Sequence, residues 1–433
     1  MRKLAILLLP MPVVEWLVRI KTAILFNKFT IERIHNNYQK TIKRLQKKIQ
    51  KGEKIRVCFF VMRDSMFQTR PLFEKMLQTN LFIPFIVVIP DISRGKQFLF
   101  SQMEKTYKYL AKQYRDVYMS YNYDSKQFMD WSKDIDIAFF NNPYDEATHQ
   151  FYRIRRHAKK GILTCYTEYA YTISNRYYRL IKEEVIYDIL WKIFALEKLE
   201  LAALQQNKIN GTNAILTGYC KMDEFITYQK AIRQRPKIII APHHSVGKVE
   251  LALSTFLQYS TFFLSLPARY PQIDFIFRPH PLLWIHLVQR NFWKEQQIGE
   301  YIQQISSYPN VEYQNGENYL ETFANSDGLI HDCGSFSAEY LFTGNPCCYL
   351  LKSPSMTKQN SNCFHRQCLA VHYQAYQEQD IIRFIEQVIL NKQDPLKEQR
   401  YKFYEQAIKE NYPNTSSVIL HHILHNLGQD EKI

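Results

Sequence analysis

The chain has 433 residues, 46% of them hydrophobic and 15% aromatic, with a formal net charge of +15. That much apolar material excludes a disordered chain and suffices for two packed domains. The charge is local: residues 1–54 hold 13 Lys and Arg against three acids and supply +10 of it, yet this segment lacks the interleaved exposed aromatics and reading module of a nucleic-acid binder, so no nucleic acid is expected as a partner. The eight cysteines, at 58, 165, 220, 333, 347, 348, 363 and 368, form no CxxC pair and read as buried free thiols in a reducing, cytoplasmic compartment. Cys363, His365 and Cys368 lack a fourth ligand at credible spacing, so they read as structural and no metal site is expected.

Taken in order, residues 1–20 begin basic and apolar, but Pro10 and Pro12 break the run and Glu15 and Arg19 follow. The segment is too short and interrupted to span a bilayer. Ile31, Ile34, Tyr38, Ile42, Leu45 and Ile49 then recur at spacings of three and four, with Lys40, Lys43, Arg44, Lys47, Lys48 and Lys51 on the other faces. This is a basic amphipathic helix, and residues 1–54 are expected to hold a cytoplasmic protein peripherally on the anionic inner face of the cell membrane. The alternative is a solvated helix that packs on its own domain.

Residues 55–230 alternate strands with helices. Strands are expected at Ile55–Val61, Phe82–Ile89, Val117–Tyr121, Ile135–Phe140 and Gly161–Tyr166, and helices at Thr69–Thr79, about 95–114 and Leu190–Gln206. Such alternation predicts a Rossmann-like domain, a parallel sheet covered on both faces with ligands at the carboxyl ends of its strands. Those ends carry Arg63-Asp64-Ser65, Asn141-Asn142 and Thr167-Glu168-Tyr169.

A second unit of the same kind spans residues 231–395, followed by C-terminal helices over 396–433, one of which is expected to pack back across the first half. The strand Lys237–Ala241 runs into Pro242-His243-His244-Ser245, and, after a helix around 249–266, the strand Asp274–Phe277 ends in Arg278-Pro279-His280-Pro281. The two prolines fix φ and hold Arg278 and His280 in place. A third strand, Gly328–Ile330, precedes the turn Asp332-Cys333-Gly334-Ser335, and helical spacing runs from Phe336 to Phe342. Gly334 permits a close backbone approach, Ser335 or Ser337 can cap the helix, and its first N–H groups suit an anion. Glu339 falls one turn after Ser335, placed to accept hydrogen bonds from a ribose. After Pro346, Cys347–Leu351 reads as the next strand.

On four stretches in family order the chain resembles the CDP-glycerol glycerophosphotransferase family, the teichoic-acid and capsule polymerases and primases. Leu216-Thr-Gly-Tyr-Cys-Lys-Met-Asp223 resembles its Gly-Tyr-Pro-Arg-Asn-Asp segment, and Ile240-Ala-Pro-His-His244 its Ala-Pro-Thr-Trp turn. Arg278-Pro-His-Pro281 matches its Arg/Lys-Pro-His-Pro box, and Ser326 to Glu339 resembles its Ser-Asp-x-Leu-Ile-Thr-Asp-Tyr-Ser-Ser-x-x-x-Glu/Asp stretch. The likeness covers roughly residues 210–352. It implies a GT-B architecture, two Rossmann-like domains facing a cleft. It also implies transfer of glycerol phosphate, or a related alditol phosphate, from a CDP-alcohol to a hydroxyl of a glycan or lipid-linked acceptor, releasing CMP. No cofactor beyond that substrate is implied. Arg278 and His280 would lie by the diphosphate, Asp332, Gly334, Ser335 and Ser337 at the phosphate, and Glu339 near the ribose.

The chain also departs from the family. His243 and His244 replace Thr-Trp, Cys333-Gly334-Ser335 replaces Tyr-Ser-Ser, and the family's His-Gly-Thr-Pro turn, whose His serves as base, becomes Thr167-Glu-Tyr-Ala170, which makes Glu168 the substitute base. Two other readings stand beside this one: a GT-B glycosyltransferase using a nucleotide sugar in lipopolysaccharide or capsule synthesis, and a non-catalytic basic protein that binds membranes or nucleic acid.

Overall fold

The computed structural model describes residues 26–142, 145–247, 252–315, 318–353 and 361–429. Residues 1–25, and with them the first part of the expected membrane segment, lie outside this range. The first sheet contains β1 (Ile55–Val61), β2 (Phe82–Val88), β3 (Val117–Met119), β4 (Ile137–Phe140), β5 (Leu163–Tyr166), β6 (Lys192–Ala195) and β7 (Ala214–Leu216). The second contains β8 (Lys237–Ala241), β9 (Asp274–Phe277), β10 (Val311–Tyr313), β11 (Gly328–His331), β12 (Cys347–Leu350) and β13 (Tyr373–Ala375). Every pairing in both is parallel, in the orders β3-β2-β1-β4-β5-β6-β7 and β10-β9-β8-β11-β12-β13. Strand order reverses once in each sheet, between β1 and β4 and between β8 and β11. At such a point successive connections leave for opposite faces and open a crevice at the strands' carboxyl ends. These are the two Rossmann-like domains expected from the alternation of strands and helices.

One element differs in type. Leu190–Gln206 is expected to be helical throughout, but Ile193, Phe194 and Ala195 are fully buried in β6, between β5 and β7, and the helix is confined to Lys198–Leu204. The segment is rich in Leu, Ala, Lys and Glu, all good helix formers. The place offered by the sheet outweighs a propensity worth only tenths of a kcal/mol per residue.

The basic helix α1 (Lys28–Gln50) forms, with the Asn27 side chain accepting from Thr30 N at 2.9 Å. Its apolar stripe, Ile31, Ile34, Tyr38, Ile42 and Leu45, is buried in the same core as β1 and β2. The Tyr38 hydroxyl donates to Ile189 O at 2.7 Å and pairs with Thr164 Oγ1 at 2.8 Å, while Arg44 and Lys48 each sit 2.9 Å from the Asp136 carboxylate. The expectation that this stripe lies in a membrane is therefore corrected. A parallel sheet needs both faces covered, and α1 is part of that cover. Its remaining basic residues, Lys40, Lys43 and Lys47 among them, are exposed.

The C-terminal helix α2 (Thr415–Asn426) crosses back to this core through Ile419, Leu420, Ile423 and Leu424. Asp223 receives its first turn, accepting from Thr415 N at 3.1 Å, Ser416 N at 2.7 Å and Ser416 Oγ at 2.6 Å. A carboxylate at a helix start meets the positive end of its dipole. All eight cysteines are free; Cys363 is exposed, unlike the buried state expected for the set, and the other seven are buried. Among the described residues no helix is long and apolar enough to cross a membrane.

If α1 belongs to the core, Leu45→Ala should destabilise the purified protein by about 2–4 kcal/mol and Tyr38→Phe by about 1 kcal/mol, read by urea denaturation. Unchanged midpoints in both variants would return the helix to a peripheral role.

Candidate functional site

Two neighbouring strands, β8 and β9, deliver three imidazoles to one place. Beyond β9 the chain stays paired with the end of β8, through Arg278 N to Ile240 O at 2.8 Å and His280 N to Pro242 O at 3.0 Å. The ring centroids of His243 and His244 are 4.2 Å apart, those of His244 and His280 4.2 Å, and those of His243 and His280 5.4 Å. All three rings are half-buried.

Their hydrogen bonds define one tautomer. His243 Nδ1 lies 2.8 Å from Ser245 Oγ and accepts from Ser245 N at 3.3 Å; Ser245 Oγ already accepts from Leu253 N at 3.0 Å, so its proton points to the ring. His280 Nδ1 accepts from Leu282 N at 3.1 Å. His286 Nδ1 donates to His244 O at 3.0 Å, and because it carries that proton it faces His244 Nδ1, 3.1 Å away, as donor to acceptor. Each of the three Nδ1 atoms is thus an acceptor, and each Nε2 carries the hydrogen. Burial, with the neighbouring His286, pulls the His243 pKa down to about 4. Near neutral pH this ring is an uncharged N–H donor, and an arriving anion would favour its protonation.

Asp332 ties this group to the turn after β11. Fully buried, it accepts from His243 N at 2.5 Å, and from Thr255 N at 2.5 Å and Thr255 Oγ1 at 2.8 Å. Burial lifts its carboxyl to about 6 against the pull of those donors. Its oxygens face protein N–H groups, so the structure gives this residue the work of bracing the loops. Arg278 is 8% exposed and bonds Gln314 Oε1 at 2.9 Å, and burial lowers its pKa. His243, His244, His280, Arg278 and Asp332 are thus brought together at the point where the second sheet reverses order.

The rest of the turn is shaped by the first domain. A Cβ on Gly334 would come within 2.5 Å of Ile173 Cδ1, so the close approach that requires glycine is made by a side chain of the other domain. The contact continues through Asn362, which donates from N to Ile173 O at 2.7 Å and from Nδ2 to Thr172 O at 2.8 Å. Ser337 is buried and its hydroxyl donates to Gly334 O at 2.6 Å, while half-buried Ser335 starts the short helix Phe336–Glu339 with no side-chain cap. Neither serine caps in the way expected. Glu339 is buried and accepts from the Tyr319 hydroxyl; burial raises its pKa and the ammonium of Lys221 opposes this. Lys221 also lies over the Tyr319 ring at 4.2 Å. The residue expected beside a ribose is held in a polar knot between the domains.

Glu168 is not brought to the histidines. It is 1% exposed, and its Oε1 accepts from the hydroxyls of Tyr166 and Tyr177, both of the first domain. Burial lifts its carboxyl to about 7, and Oε2 has no hydrogen-bond partner among the described residues. Sequence reasoning missed Glu200, a buried neighbour whose pKa burial and Glu168 both push up, and His286. The latter carried a readable signal, since Leu282-Leu-Trp-Ile-His-Leu287 follows Pro281 as a helix start. Among the described residues no group of His, Cys, Asp and Glu could hold a metal ion.

The raised Glu168 pKa makes stability depend on pH. The folded state keeps a proton that the unfolded chain releases above its ordinary value of 4.5. The cost of burying the charged form therefore grows from there to about pH 7 and is complete above it. Glu168→Gln keeps an acceptor oxygen for both tyrosines without the charge. Its Tm should exceed the parent's by several degrees at about pH 8 and hardly at all at about pH 5; thermal denaturation at both pH values decides, and a gain that fails to grow with pH would show that ionisation costs little.

No protein-family profile matches the sequence, and no curated protein matches it in sequence. Among solved structures, a UDP-GlcNAc 2-epimerase from Neisseria meningitidis, bound to UDP-GlcNAc, superposes with a TM-score of 0.55 at 14% identity, over 86% of this chain and 100% of that one. The wall teichoic acid polymerase TagF superposes with a TM-score of 0.53 at 12% identity, over 97% and 98% of the two chains. A variant of that polymerase gives 0.56 at 12%, over 92% and 99%. At such identities the likeness is one of fold, and the fold is the two-domain GT-B type.

Proposed function

We propose that this protein is a GT-B transferase of cell-envelope glycan assembly. It would move glycerol phosphate, or a related alditol phosphate, from a CDP-alcohol to an acceptor hydroxyl and release CMP. The observation that carries the reading is the convergence of His243, His244 and His280 beside Arg278 at the order reversal of the second sheet, where nucleotides bind in such sheets. The fold shared with a wall teichoic acid polymerase supports it.

In this reaction the acceptor oxygen attacks the distal phosphorus, a new P–O bond forms, and the bond to CMP breaks with its electrons going to the CMP phosphate. The Nε2–H groups of the three histidines and the Arg278 guanidinium stabilise the charge gathering there; Gly334, Ser335 and Ser337 reach the phosphate and Glu339 the ribose only once Ile173 and Lys221 of the first domain move off them. The hydroxyl proton goes to Glu168, whose carboxyl, poised near 7, exchanges protons at neutral pH. Its burial requires the segment 167–174 to open for the acceptor. Attachment to an anionic membrane face would rest on exposed Lys40, Lys43 and Lys47 and be salt-sensitive. The UDP-GlcNAc-bound neighbour favours a second reading, a nucleotide-sugar enzyme on the same scaffold.

The test is a thermal-shift panel with CMP, CDP, CDP-glycerol, UDP, UDP-GlcNAc and GDP, because a ligand of the folded state alone raises Tm by mass action. The first reading expects a cytidine-specific shift lost in His280→Ala, and a Glu168→Gln variant that keeps the shift but loses turnover. A uridine or guanosine preference would support the second reading, silence across the panel would leave a non-catalytic basic protein, and an active Gln variant would remove Glu168 as base.

A further inference from the structure

The edge of the first sheet carries a groove that the nucleotide chemistry does not use. It is lined by Tyr107, Val117, Tyr118, Met119, Tyr121, Asn122, Tyr123, Asp124, Met129 and Trp131, with a volume of about 410 Å³, inside the range of roughly 300–1,000 Å³ typical of small-ligand sites. Tyr118 and Tyr123 are 39% and 48% exposed. Tyr118 packs on Trp131 at 4.9 Å and Tyr121 meets Tyr123 edge-on at 5.1 Å, so the groove holds two aromatic pairs. The Trp131 indole N–H is buried with no partner among the described residues.

We propose that this groove binds an uncharged saccharide, and, resting on the function proposed above, that this saccharide is the non-phosphorylated part of the acceptor. Three observations converge. The exposed rings of Tyr118 and Tyr123, whose hydroxyls donate to Asp116 at 3.3 Å and Glu104 at 2.9 Å and keep lone pairs to accept from a ligand, suit a ligand with C–H faces and a hydroxyl rim, because such rings offer an apolar body and a polar tip. The lining contains no Lys or Arg and one carboxylate, Asp124, in a chain of net charge +15. A surface built for a phosphate polymer or an anionic lipid would carry cations, and this one leaves them out. The groove also follows the carboxyl end of β3, two strands from the end of β1 with its Arg63 and Asp64. That is roughly 10 Å along the edge where ligands enter such a domain, so a chain seated in the groove can run toward the cleft.

The test is saturation-transfer NMR on the full chain without nucleotide, using chitotriose, cellotriose, maltotriose and mannotriose as probes and polyglycerol phosphate as the anionic comparison. Transfer to ring C–H protons of at least one neutral sugar is expected, abolished in Tyr118→Ala/Tyr123→Ala and kept in Tyr118→Phe/Tyr123→Phe. The Ala variant should lose some Tm with its ring pairs but still unfold cooperatively and keep the parent's nucleotide response. Silence from all four sugars, a signal surviving the Ala variant, or transfer to the polyanion alone would overturn the proposal. Because no nucleotide is present, the result stands apart from the nucleotide panel, and either can fail alone.

Discussion

The carboxylate of Asp332 is fully buried where the second sheet reverses order, and the charge of Lys352 acts on it from nearby. Its two oxygens take backbone N–H groups from the loop after β8 and from the start of the Phe256–Arg269 helix, together with the Thr255 hydroxyl. A buried carboxyl of this kind is tolerated only while those donors stay in place, so the loops around it are coupled. His243 N is one of the donors, and the His243 ring packs at a tilt on His244, which packs at a tilt on His280. The position of the imidazoles is thus fixed from the backbone outward, and none of them depends on a long flexible side chain for its placement.

A second constraint comes from the other domain. Ile173 fills the space over Gly334, Asn362 bonds the 172–173 backbone, and Lys221 balances Glu339 beneath the Tyr319 ring. These contacts lie on the carboxyl side of both sheets and use residues that a nucleotide-binding turn would otherwise present to a ligand. If a nucleotide binds at this turn as proposed, the domains must part to free Glu339 and the turn after β11, and ligand binding and the interdomain contact would be linked equilibria.

Much of this organisation was legible in the chain. The bounds of β1, β8 and β9 follow from short apolar runs ended by Pro, Asp or His, because a strand buried on both faces announces itself by continuous hydrophobicity. The helical period of α1 was equally clear, but periodicity reports that a stripe will be buried and is silent on what covers it; a membrane and a sheet are the same partner to Ile34 and Leu45. β6 was hidden by helix-forming residues. Glu339 and Gly334 were recognised as special positions while their partners, Lys221 and Ile173, were out of reach, since each lies more than 100 residues away and nothing local encodes such a contact.

The neutrality of His243 follows from its burial. Burial comes first and the neighbouring His286 adds to it, which is why the His243 pKa falls to about 4. A site of fixed cations would bind a nucleotide and the CMP it yields alike, and uniform binding of that sort does not hasten a reaction. In the transfer proposed above, an uncharged N–H donor would interact more strongly as charge accumulates on the leaving phosphate, and a proton could follow that charge onto the ring. On that reading the burial that keeps His243 neutral at rest would make its response largest where bond breaking places the charge.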